Sequence, residues 1–81
     1  MTTDLVSSNL QSALDRILET KRRAAIPLAP GTELLGGNLP IDSLDLAQLV
    51  LEMQSITGKD PFESGFLEFR TAAELVQLFA D

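Results

Sequence analysis

The chain has 81 residues, a mass of 8.8 kDa and a net charge of −6, and 44% of its residues are apolar. This length holds one domain spanning residues 1–81, and the apolar fraction is too high for an intrinsically disordered chain. Cysteine and histidine are absent, which excludes disulfides, a thiolate metal site and a histidine general base, and the acidic balance argues against nucleic-acid binding.

The first predicted element is an amphipathic helix near residues 4–22, where apolar side chains recur every three or four positions. Thr3 or Asp4 is expected to cap its start. The end of the helix carries cations, which the helix dipole favours at that end: Lys21, Arg22 and Arg23.

A long loop follows from Ala25 to Pro40, with three of the four prolines and three of the five glycines. Loops of this length in small domains are usually functional or disordered, and the apolar content of this one favours order. Five of its side chains are expected to lie against the core: Ile26, Leu28, Leu34, Leu35 and Leu39.

The second helix is expected from Ser43 to about Thr57. Asp42 is a good N-cap residue, and Gly58 suits the position that ends a helix.

The last helix opens with Thr71-Ala-Ala-Glu74, a capping-box pattern, and residues 60–68 before it hold at most a short helical piece. No segment alternates polar and apolar residues with a period of two, so a sheet is not expected. The sequence therefore predicts an all-α bundle of three main helices.

The N-terminus lacks the basic and apolar regions of a signal peptide, and no apolar run reaches the roughly 18 residues that span a bilayer. We expect a soluble, cytoplasmic, monomeric protein without a membrane partner.

Residues 1–41 contain four acids and four bases, whereas residues 42–81 contain eight acids and two bases. This uneven charge is compatible with a selective protein partner and argues against nucleic acid.

Intrinsic catalysis is not expected from this composition. A serine nucleophile needs a base to accept its proton, and the chain has no histidine. Lys21 and Lys59 lie among charged or turn residues that keep a lysine protonated. The acids are scattered, without the spacing of a calcium-binding loop, so no resident metal site is predicted.

The second helix has two apolar stripes at helical spacing. The wider stripe predicts the core face, and it consists of Leu46, Leu49, Val50, Met53 and Ile56. The second stripe is separated from it by polar residues and consists of Leu44, Ala47 and Leu51. An apolar stripe rimmed by polar residues is a candidate docking site, and cover by the long loop or a neighbouring helix explains it equally well.

Ser43 lies beside the second stripe, in the first turn of the helix. Free backbone N–H groups at a helix start favour an attached anionic group such as a phosphate ester. Simple capping is the alternative explanation for a serine at this position.

Asp42-Ser43-Leu44, placed between a long loop and an amphipathic helix, resembles the attachment motif of acyl carrier and peptidyl carrier proteins. The segment 39–53 resembles the family's loop and second helix almost position by position. The segment 69–79 resembles its final helix. Size, acidity, helix order and the long first loop agree as well, so the resemblance covers nearly the whole chain.

The resemblance implies a right-handed up-down bundle with a short extra helix near Glu63–Glu68. It also implies that a phosphopantetheinyl transferase attaches 4′-phosphopantetheine from coenzyme A to Ser43, with Asp42 helping to position the transferase's magnesium. The arm ends in a thiol that carries cargo as a thioester, so the reactive sulfur belongs to the prosthetic group and not to a cysteine of the chain. The base that the chain lacks would be supplied by the transferase.

The family's docking surface, carried over by position, falls on Asp42, Leu44, Asp45, Ala47, Gln48, Leu51, Gln54 and Ser55. Carriers of primary fatty-acid synthesis often have acids where positions 48, 54 and 55 here are Gln, Gln and Ser. We therefore expect a specialised free-standing carrier whose cargo is an amino acid or a secondary-metabolite acyl group. Its partners would be an acyl- or amino-acid-activating ligase and a downstream transferase. The alternative is a small helical adaptor that has the carrier fold and no arm.

Overall fold

Three α-helices form the regular structure in the computed structural model, which describes residues 2–37, 39–63, 65 and 68–80. They are α1 (Thr3–Thr20), α2 (Ser43–Thr57) and α3 (Ala72–Phe79). Strand pairing in these ranges is limited to one isolated bridge in which Glu33 meets Thr71. The predicted all-α bundle is confirmed. None of the helices in the described part of the chain has the length and apolar character needed to cross a membrane.

The start of α1 differs from the prediction. Its N-cap is Thr2, whose side-chain oxygen accepts a hydrogen bond from the Leu5 amide at 3.2 Å. Thr3 and Asp4 lie inside the helix, so the expectation that one of them caps it was wrong. The physical reason is that three capping-type residues stand in a row here, and an N-cap preference alone does not select among them.

The end of α1 also comes two residues earlier than the predicted Arg22. The last helical residue is Thr20, and Arg22 adopts a left-handed conformation with φ of 59°. The amides of Arg22 and Arg23 donate to the carbonyls of Glu19 and Leu18. These bonds satisfy carbonyls at the helix end that would otherwise have no partner, and they turn the chain into the loop.

The bounds of α2 agree with the prediction. Asp42 is the N-cap, Thr57 is the last helical residue, and Gly58 ends the helix with φ of 72°. A left-handed backbone at this position suits glycine, which has no β-carbon to clash with the preceding turn.

The predicted capping box of α3 is present, with Thr71 and Glu74 bonding each other's backbone amides. The short helix expected near Glu63–Glu68 is not confirmed. Glu63 lies in a turn in which its amide donates to the Asp60 carbonyl at 3.2 Å. Residues 64, 66 and 67 lie outside the described residues.

The hydrophobic core lies between the three helices and takes side chains from the long loop. From α1 and the loop it contains Val6, Leu10, Ala13, Leu14, Ile17, Leu18, Leu34 and Leu39. From α2 and α3 it contains Leu49, Met53, Ala72, Leu75, Val76 and Phe79. Each large side chain fully buried in this way stabilises the fold by about 1.5–3 kcal/mol. Ile26 and Leu28 pack against this cluster while partly buried, so the loop is ordered along the bundle.

Two side chains predicted to be in the core are at the surface instead. Leu35 is 41% exposed, because the amide of its neighbour Leu34 is bonded to the Arg70 carbonyl and Leu34 takes the inward position. Ile56 is 36% exposed in the last turn of α2, at the end of the helix interface rather than in its middle.

Candidate functional site

The start of α2 is held by two aspartates that cap each other. Asp42 Oδ1 accepts a hydrogen bond from the Asp45 amide at 3.0 Å, and Asp45 Oδ2 accepts one from the Asp42 amide at 3.1 Å. This reciprocal box satisfies two backbone donors at the helix start and fixes the turn that contains Ser43.

The same turn is tied to the end of α1 by an ion pair. Lys21 Nζ donates to Asp45 Oδ2 at 2.5 Å, joining residues that are 24 positions apart in the sequence. The Lys21 side chain and then the Asp42 amide lower the pKa of the Asp45 carboxyl below its ordinary value. Asp45 is therefore engaged by the protein itself, from both the helix start and α1.

Ser43 occupies the first helical position of α2 and is exposed. Among the described residues no side chain or carbonyl hydrogen-bonds its hydroxyl, and no acceptor binds the amides of Ser43 and Leu44. An anion attached to this hydroxyl would meet unpaired N–H groups and the positive end of the helix dipole. The chain has no histidine to deprotonate the serine. Chemically, Ser43 presents an accessible hydroxyl at the start of a helix.

The second stripe is a surface feature. Leu44 is 79% exposed and Leu51 is 62% exposed, so neither the loop nor a neighbouring helix covers them. They belong to an exposed strip of α2, here called the α2 ridge, that consists of Leu44, Ala47, Gln48, Leu51 and Ser55. Exposed leucines at the crest of a helix, next to an accessible hydroxyl, form a candidate protein-docking surface.

The other three predicted docking residues are arranged differently. Asp42 is exposed but caps the helix, and Asp45 is half-buried beside Lys21. Gln54 is half-buried as well, and its side-chain amide donates to Asp60 Oδ1 at 3.0 Å. These residues border the α2 ridge and stabilise the fold around it.

An apolar groove runs along one side of the α2 ridge and includes Ser43 in its lining. It has a volume of about 450 Å³ and is lined by Ser43, Leu46, Ala47, Val50, Leu51, Gln54, Phe62 and Phe69. The Phe62 and Phe69 rings have centroids 5.9 Å apart and form the far wall. The sequence did not predict this groove, because it depends on where the segment after α2 lies. The feature of the sequence that could have indicated the groove is the pair of phenylalanines after α2, Phe62 and Phe69.

A polar groove of about 510 Å³ runs along the other side of the ridge, between α2 and α1. Its walls are Arg16, Ile17, Thr20, Lys21, Leu44, Asp45, Gln48 and Glu52. Arg16 donates to Glu52 across it, with a distance of 2.8 Å between Nη2 and Oε2. The two ion pairs connect Arg16 of α1, and Lys21 directly after it, to acidic residues of α2. The periodicity of a single helix does not show such contacts.

No family model, no curated protein and no solved structure matches this chain. Function is therefore inferred from the residues around Ser43 and their geometry. That geometry combines an accessible hydroxyl at a firmly capped helix start, an apolar ridge and an apolar groove.

Proposed function

We propose that this chain is a phosphopantetheine-dependent carrier protein with its arm attached to Ser43. The observation that carries the proposal is the position of Ser43: it is exposed at the first residue of α2, and an apolar groove and the α2 ridge both begin there. A serine that only capped the helix would be expected at the position that Asp42 occupies. The hydroxyl of Ser43 is thus left free for another purpose.

The attachment step follows from the chemistry of coenzyme A. The Ser43 oxygen forms a bond to the phosphorus that bears pantetheine, the pyrophosphate bond of coenzyme A breaks, and adenosine 3′,5′-bisphosphate leaves. The hydroxyl proton passes to a base of the phosphopantetheinyl transferase, because this chain has no histidine. By the resemblance to carrier proteins, Asp42 would help to position the magnesium ion of that transferase.

The residues around Ser43 fit a phosphodiester. The amides of Ser43 and Leu44 are available to its oxygens at the positive end of α2, whose 15 residues supply a full helix dipole. The arm would supply a thiol that holds cargo as a thioester. Every catalytic group for loading and transfer would then come from partner enzymes.

The α2 ridge gives those partners a surface to dock on. Leu44 and Leu51 are large, exposed and close to the attachment site, while Gln48 and Ser55 beside them carry no charge. Recognition by shape and apolar contact therefore suits this surface better than steering by many charges. This favours a specialised carrier over a housekeeping fatty-acid carrier. An aminoacyl cargo and a secondary-metabolite acyl cargo are both compatible with the apolar groove.

Intact-mass measurement tests the proposal. After incubation with coenzyme A, magnesium and a broad-specificity phosphopantetheinyl transferase, the mass should rise by one phosphopantetheine. A chain that stays unmodified, while a known carrier in the same tube is modified, would favour an adaptor that uses the α2 ridge without an arm.

A further inference from the structure

We propose that Lys21 is a positioning residue for arm attachment, which holds the first turn of α2 in the form that presents Ser43 to the transferase. The inference rests on the proposed function, because it names a residue outside α2 that controls the geometry of the same attachment site. Lys21 would act on neither coenzyme A nor the Ser43 hydroxyl. It would act through the Asp45 carboxylate, to which its ammonium group is bonded.

The first turn of α2 is not anchored by the core. The buried side chains of α2 are Leu49 and Met53, in the middle and second half of the helix. Ser43 and Leu44 are exposed, and Leu46 is only partly buried against the core. Apolar packing therefore holds this turn less firmly than it holds the middle of α2, and polar contacts have more influence on it.

One polar contact from another element reaches this turn. Among the described residues, the Lys21–Asp45 ion pair is the only hydrogen bond or ion pair that joins the segment 42–46 to the rest of the chain. The other polar contacts lie within the segment: Asp42 and Asp45 cap each other's amides, and the Leu46 amide donates to the Asp42 carbonyl. Lys21 thus links the turn to α1.

Both hydrogen bonds to the Asp45 carboxylate use the same oxygen. Oδ2 accepts from the Asp42 amide at 3.1 Å and from Lys21 Nζ at 2.5 Å. A carboxylate side chain in the first turn of a helix has several staggered rotamers, and only one that points Oδ2 at the Asp42 amide closes the capping box. The ammonium group of Lys21 favours that rotamer, because it binds the same oxygen from the α1 side.

The backbone of Lys21 is itself fixed by the end of α1. Its amide donates to the Ile17 carbonyl at 3.1 Å, and the Arg23 amide donates to the Leu18 carbonyl at 2.8 Å. The side chains of Ile17 and Leu18 are buried in the core. Lys21 is therefore attached to an ordered part of the fold, and its side chain extends that order to Asp45.

A turn that is formed in advance lowers the cost of binding to the transferase. Such a chain loses less conformational freedom when the complex forms. When only a fraction of the free chains has the competent turn, the apparent affinity falls by that fraction, while the reaction within the complex keeps its rate. Loss of the Lys21 ammonium group should therefore raise the KM of the transferase for this chain and leave kcat nearly unchanged.

The test compares arm attachment in wild type, Lys21→Met and Lys21→Arg. The rate is measured by intact mass over a range of chain concentrations, with coenzyme A, magnesium and a broad-specificity transferase. Lys21→Met should raise KM about two- to fivefold, the range expected when a partly exposed ion pair is lost. Lys21→Arg keeps a cation for Asp45 and should have a KM close to that of wild type.

Arg16→Met is the matched control. It changes the net charge by the same amount and breaks a second ion pair to α2, which Arg16 makes with Glu52 at 2.8 Å. Glu52 lies outside the first turn of α2, so this substitution should leave KM unchanged. A general loss of stability or of positive charge would affect Arg16→Met and Lys21→Met alike.

A double-mutant cycle assigns the effect to Asp45. Asp45→Asn keeps a side-chain oxygen for the capping box and removes the charge that Lys21 binds. Adding Lys21→Met to Asp45→Asn should therefore leave KM at the value of Asp45→Asn, because the two substitutions remove the same interaction.

Four results would each overturn the inference. They are an unchanged KM in Lys21→Met, an equal rise of KM in Lys21→Arg, an equal rise in Arg16→Met, and a full effect of Lys21→Met in the Asp45→Asn background. Any of them, with wild type modified, would reject the role of Lys21 and keep the carrier function. An unmodified wild type beside a modified reference carrier would reject the carrier function and the role of Lys21 with it.

Discussion

Lys21, the residue that follows α1, donates a hydrogen bond to Asp45 in the first turn of α2, with 2.5 Å between Nζ and Oδ2. Asp45 uses the same oxygen to cap the Asp42 amide. The turn that presents Ser43 is therefore fixed by α2 and by α1 together. It follows that a change at Lys21 can alter the proposed attachment site without contacting Ser43.

The titration of Asp45 reports on this link. Lys21 lowers the pKa of Asp45 below the ordinary value of 3.8, so the unfolded chain binds this proton more readily than the folded chain. The resulting stability is present above pH 3.8 and is lost as the pH falls through the lower folded value. In Lys21→Met, we expect carboxyl ¹³C NMR to show the Asp45 pKa moving up toward its ordinary value.

Glu74 provides the internal control for that titration. Its pKa is lowered mainly by hydrogen bonds from Thr71, at the start of α3, so it should be unchanged in Lys21→Met. An Asp45 pKa that is equal in both proteins would show that Lys21 does not stabilise this carboxylate in solution.

A substitution at Leu51 tests partner docking separately from folding stability. Because its side chain is 62% exposed, Leu51→Glu should change the free energy of unfolding by no more than about 0.5 kcal/mol. It should still slow loading of the arm-bearing protein by its ligase, since a charge would replace apolar contact area. Leu49→Ala, two positions away, is the matched comparison. Because Leu49 is fully buried, this substitution should lower the free energy of unfolding by about 2–5 kcal/mol. A large drop in Tm for Leu51→Glu would instead assign Leu51 to the core.

Asp42 has a capping role in the structure and a proposed metal-positioning role during attachment. Asp42→Asn keeps an N-cap oxygen and should leave stability nearly unchanged, whereas Asp42→Ala should cost about 1 kcal/mol. Both substitutions remove the carboxylate, so both should slow attachment of the arm by the transferase. An unaltered attachment rate in Asp42→Asn would limit Asp42 to capping.

The sequence was most informative where structure depends on neighbouring residues. Asp42 and Gly58 marked the ends of α2 correctly, because a cap and a left-handed turn are properties of one or two residues. The exposure of Leu44 and Leu51 was left open by helical spacing, which cannot show what packs against a stripe.

Contacts between distant segments could not be predicted in this way. The Arg16–Glu52 ion pair joins residues 36 positions apart, so it depends on how α1 crosses α2. The apolar groove likewise depends on the course of the chain that carries Phe62 and Phe69 past α2. Both features were therefore found only from the packing of the helices, and the apolar groove includes Ser43 in its lining.

The most direct test of the carrier hypothesis compares two exposed serines of the same helix. Wild type, Ser43→Ala and Ser55→Ala are each incubated with coenzyme A, magnesium and a broad-specificity transferase, and their intact masses are measured. Wild type and Ser55→Ala should each gain one phosphopantetheine, and Ser43→Ala should gain none. A gain in Ser43→Ala, or no gain in wild type beside a modified reference carrier, would contradict the assignment of Ser43 as the attachment site.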